Sequence, residues 1–110
     1  MAERKPPCWM CVGILMDLAA DTEGILEAGA CGHWSGVRYH RKAIKSGIDT
    51  LEFEGCTTPE DTEALRSLHD RLKTAVRRKD WPEIMDAVEH LKLAVKTAAS
   101  EMFKNKLCEV

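Results

Sequence analysis

The chain has 110 residues, of which 45% are hydrophobic and 31% charged, with a formal net charge of −2. That is one domain of common size, able to bury a core without needing a metal or disulfides merely to fold. The near-balanced charge gives no global attraction to nucleic acid. The apolar run at residues 8–16 is too short to cross a bilayer.

The first predicted element is a helix over residues 8–28, approached through Pro6 and Pro7 and weakened at Gly13 and Gly24. Its apolar residues (Trp9, Met10, Val12, Ile14, Leu15, Met16, Leu18 and Ala19) cover nearly the whole circumference. An ordinary surface helix keeps one polar face. Excess apolar surface predicts a homodimer or a protein partner, with Trp9 and Met10 in the contact. The glycines at 29, 32 and 36 then mark a connection.

A second helix is predicted over residues 35–53, with Val37, His40, Ala43, Ile44, Ile48 and Leu51 facing inward and Gly55 in the position of a C-terminal glycine. Arg38, Arg41, Lys42 and Lys45 run along one side of it without an interleaved acid until Asp49. A solvated face explains such a stripe; docking to an anionic partner is the sharper reading. Only Tyr39 and Trp34 offer aromatic stacking beside it, so single-strand nucleic acid has little support.

The third and fourth helices, 59–79 and 81–106, are the plainest. Thr58-Pro59-Glu60-Asp61 supplies an N-cap, a proline at the first helical position and acids in the first turn. Asp80-Trp81-Pro82-Glu83 repeats that logic as a capping box. Leu65, Leu68, Leu72, Ala75 and Val76 form one stripe; Ile84, Val88, Leu91, Val95, Ala98 and Met102 form the other. Residues 77–79 are all cationic and suit a helix C-terminus. Strand signals are nearly absent. The expected fold is therefore all-α: one domain over residues 1–110, an antiparallel up-down four-helix bundle dimerising through its first helix.

The five cysteines are the chemistry worth pursuing. Cys8 and Cys11 form a CxxC pair whose i, i+3 spacing lets both sulfurs point at one centre. Cys31 and His33 look like the other half of a zinc set. A continuous first helix, at about 1.5 Å per residue over roughly 20 residues, would hold the two pairs about 30 Å apart, far beyond any metal bond. Up-down topology instead gathers Cys8, Cys11, Cys56 and Cys108 at one end. Four thiolates there would suit tetrahedral zinc or an iron–sulfur cluster, with Cys31 and His33 as alternative completing ligands. An odd cysteine count and no secretory layout at the start point to a cytoplasmic chain with reduced thiols.

Two readings stand beside the metal site. One is a metal-free interaction module docking through the apolar first helix and basic second helix. The other is a thiol redox protein using Cys8 and Cys11, whose place at a helix N-terminus lowers thiol pKa. The element Pro7-Cys8-x-x-Cys11 has the form found in zinc deaminases, but the chain has no His-x-Glu to complete it. His40 reads as a core histidine, with His69 and His90 half-exposed. No nucleotide-binding loop, nucleophile elbow or catalytic constellation appears, so no small-molecule substrate is identified. Assembly or regulation is the expected role.

Overall fold

The computed structural model describes residues 4–110; the first three residues of the basic start lie outside them. Four helices follow in order: α1 (Cys8–Ala30), α2 (Trp34–Glu54), α3 (Pro59–Arg78) and α4 (Trp81–Lys104). Each packs against the next, and α1 closes the ring on α4, giving a rod of 49 × 20 × 20 Å. Short connections force antiparallel neighbours. The chain therefore runs up α1, down α2, up α3 and down α4. The lower end carries the start of α1, the α2–α3 corner and the tail after α4.

Local chemistry sets most of the helix ends. The Thr58 hydroxyl accepts from the Asp61 N–H at 3.1 Å, and Asp80 accepts from the Glu83 N–H at 3.3 Å, as their sequences predict. α2 ends at Gly55, whose φ of 75° lies in the left-handed region that L side chains avoid. There the Gly55 and Cys56 N–H groups reach back to the carbonyls of Glu52 and Leu51. The α1 N-terminus is different, because Pro7 offers no capping side chain. The C-terminal tail takes that role: the Glu109 carbonyl accepts from the Cys8 N–H at 2.7 Å, and the Glu109 N–H donates to Pro6 at 2.9 Å.

The core is built from the predicted stripes. Val37, Ile44, Ile48 and Leu51 of α2 are buried with Leu65 and Leu72 of α3 and the whole Ile84-to-Met102 stripe of α4. Each large aliphatic side chain so buried stabilises the fold by roughly 1.5–3 kcal/mol. α1 contributes Leu15, Leu18 and Ile25 to this core. It passes Gly24 without a break, and that glycine has a specific use. A Cβ there would strike the His40 ring of α2, so its absence lets the two helices approach closely. Val12, Ile14 and Leu26 are partly covered by neighbouring helices, which absorbs part of the apolar excess. Trp9 and Met16 remain exposed, at 78% and 66%.

Two histidines depart from expectation. His69 is buried, not half-exposed, because its ring faces the α2–α3 seam. His40 is half-buried, with Nδ1 at 2.9 Å from the Asp21 carboxylate of α1. Among the described residues, no helix is long and apolar enough to cross a membrane.

Candidate functional site

The lower end of the bundle holds the four converging cysteines. Cys8 opens α1 and Cys11 follows one turn later; Cys56 lies just past Gly55, and Cys108 sits in the tail after α4. They join as two disulfides, Cys8–Cys108 with Cα atoms 4.9 Å apart and Cys11–Cys56 with Cα atoms 5.6 Å apart. Topology brings the predicted residues together, but as bonded pairs. A sulfur in a disulfide is no thiolate, and the thiolate is the metal ligand. Accordingly, among the described residues, no group of three or more His, Cys, Asp or Glu side chains stands arranged for a metal ion.

The alternative ligands do not approach. α1 is one helix of 23 residues, so Cys31 lies at its other end, exposed and unpaired. His33 hydrogen-bonds Ser35 beside it. The odd cysteine count excludes only complete pairing. Four of the five are paired, contrary to the expected set of reduced thiols.

The CxxC pair is likewise not a redox couple in this form. Cys8 and Cys11 are bonded to different partners, and all four disulfide cysteines are at most 8% exposed. Access by an attacking thiolate is thereby restricted. What the arrangement does mechanically is clear. The foot of α1 is tied to the α2–α3 corner by one bond and to the C-terminal tail by the other, and the tail in turn caps α1.

The second feature is the α2–α3 seam, whose two halves differ in charge. In the lower half Arg66 of α3 bridges to Asp49 at 2.7 Å and to Glu52, while Lys45 holds Asp49 at 3.0 Å. Hydrogen bonds from Arg66 and Lys45 keep the Asp49 carboxyl below the usual carboxylate range. In the upper half, Arg38 and Arg41 of α2 face Lys73 and Arg77 of α3 across a groove. Among the described residues Lys45, Arg66, Arg71 and Lys92 are the lysines and arginines bridged to a carboxylate, and the four cations of the groove belong to the unbridged remainder.

Arg41 is partly buried and points its guanidinium at the Nε2 of His69, 3.5 Å away. Burial first, and then the Arg41 charge, push the His69 pKa down, so its ring is an acceptor near neutrality. Of the predicted interaction residues, Arg38 and Arg41 line this groove, Lys42 is exposed on α2, and Lys45 belongs to the neutralised half. Trp9 is exposed and Met10 is half-buried. Sequence reasoning missed Lys73 and took Arg77 only as a cation at a helix C-terminus. The only available signal was their i, i+4 spacing on the flank of the α3 stripe.

Compared with models of protein families, with curated proteins and with solved structures, the chain matches none.

Proposed function

We propose that this chain is a disulfide-braced helical-bundle interaction module, acting by docking an anionic partner through the α2–α3 seam rather than by catalysis. The observation that carries this reading is the set of four cations from two helices sharing one groove without carboxylate partners. A chain of net charge −2 that concentrates cations there has segregated its charge, and segregated charge steers association. The disulfides brace the foot of the bundle, tying α1 to the α2–α3 corner and to the C-terminal tail. They also weigh against the cytoplasm, since such bonds persist in oxidising surroundings. Self-association through Trp9 and Met10 belongs to the same proposal, and sizing chromatography checks it.

The docking test is binding of a fluorescent polyglutamate peptide at low salt. Affinity should fall steeply with added salt and be lost in Arg38→Glu/Lys73→Glu, two exposed positions whose reversal spares the core. Equal binding by that variant refutes the reading.

The convergence of Cys8, Cys11, Cys56 and Cys108 favours one further reading, a zinc or iron–sulfur centre formed by the same residues as thiolates. Elemental analysis and intact mass of protein purified without reductant separate the two. Two disulfides lower the mass by four hydrogens and leave no metal stoichiometry.

A further inference from the structure

The upper α2–α3 groove is small, about 150 Å³, and is lined by Arg38, Arg41, Lys73 and Arg77 with Val76 at its base. That volume holds a single anionic group. Three observations bear on what that group is. The cations come in pairs from opposite walls, Arg38 and Arg41 one turn apart on α2 and Lys73 and Arg77 one turn apart on α3. Such spacing puts each pair on one face, where like charges repel unless an anion is shared. Arg41 is held by the buried His69, whose Nε2 accepts from the guanidinium and so orients it without neutralising it. Two acids lie three residues away in sequence: Asp70, before Lys73, is strongly exposed and approaches only His69, at 3.7 Å, and Asp80, after Arg77, accepts from the Glu83 N–H as the cap of α4.

We propose that this groove is a binding site for a tetrahedral oxyanion, specifically a phosphoryl group, gripped by the arginine forks of α2 and the cations of α3. The inference rests on the docking reading of the same seam and names the group it recognises. Guanidinium presents donors in a rigid fork that matches phosphate oxygens, while Lys73 adds a point charge. The buried Val76 floor excludes water from one side of the ligand, which strengthens each charge-assisted bond. The phosphoryl group comes either as the free ion or carried on an organic molecule, and the chemistry of recognition is common to both.

The test is calorimetric titration of the full oxidised chain with inorganic phosphate and, separately, with phosphoserine, sodium chloride holding ionic strength constant. Saturable binding is expected, weakened about tenfold by Arg41→Gln and by Lys73→Gln, the loss of one charge-assisted bond. Lys104→Gln, at the far end of α4, should leave it unchanged. Lys73 is exposed, so its variant keeps the fold even where loss of the Arg41–His69 bond perturbs it. Tighter binding of phosphoserine assigns the carried group; equal binding assigns the free ion. Heats no different from those of sodium chloride, or undiminished affinity in both glutamine variants, overturn the site. Polyglutamate binding without phosphate binding also overturns it while leaving the docking reading standing. Phosphate binding without polyglutamate binding supports the site and removes that reading.

Discussion

Consider removing the Cys8–Cys108 bond by the double substitution Cys8→Ser/Cys108→Ser. The bond spans 100 residues, but the surviving Cys11–Cys56 bond short-circuits 45 of them. The loop released in the unfolded chain is thus about 55 residues, and loop-closure entropy puts the loss at about 4 kcal/mol at 25 °C. Both cysteines are buried, 7% and 8% exposed, so the hydroxyls put in their place add a desolvation cost to this loss. Set against the 5–15 kcal/mol typical of a domain, the bond supplies a large share of the total. With an unfolding entropy near 2.1 cal/mol/K per residue, the melting temperature should fall by about 18 °C. The assay is thermal unfolding by far-UV circular dichroism, without reductant, against the parent chain. The backbone bridge between Pro7 and Glu109 should loosen as well, seen as faster amide exchange at Cys8 and Glu109. A fall of only two or three degrees, with exchange unchanged, would falsify the claim that this bond staples the tail.

Other outcomes follow from the same structure. Cys11→Ala/Cys56→Ala should cost more than its shorter loop implies, because both residues are 0% exposed and lose packing too; guanidinium titration measures it. Gly13→Ala meets nothing within 4 Å inside α1 and should stabilise by up to about 1 kcal/mol. Gly29→Ala, by contrast, drives a methyl into the Trp81 ring and should destabilise by about 1–3 kcal/mol, with a change in Trp fluorescence. Removing the α3 cap with Thr58→Ala should lower stability by about 1 kcal/mol in the same titration. His69 has a folded pKa below its unfolded value near 6.5, so the unfolded chain takes up its proton first as pH falls. Its contribution is complete above that value and fades as pH drops from it toward the folded pKa; in His69→Gln, stability should be flatter over that window.

Much of the fold is legible in the residues themselves. Thr58 and Asp80 act as caps because the chemistry of a helix start is local, and Gly55 ends α2 because only the backbone at that position matters. The α4 stripe buries as read, and the α3 stripe does so except at the half-buried Leu68, since helical periodicity fixes a face before any partner arrives. His69 was misjudged because burial on a stripe's flank depends on how closely the next helix approaches, a distance no single helix encodes. The gathering of Cys8, Cys11, Cys56 and Cys108 at one end was also legible, because short connections leave no alternative to up-down packing.

The choice among a metal centre, a redox pair and a staple was not. It turns on which sulfur meets which, and that depends on the turn after Gly55 and the return of the tail past Lys106, each a matter of a few ångströms. The charged seam divides in the same way. Four helices, their directions and the cationic side of α2 follow from the residues alone. Packing of the helices paired the cysteines across 100 and 45 residues and set Lys73 and Arg77 opposite Arg38 and Arg41. The difference is one of range: periodicity and capping act within a turn or two of chain, whereas a bond or a groove between helices exists only after packing has fixed their relative rotation.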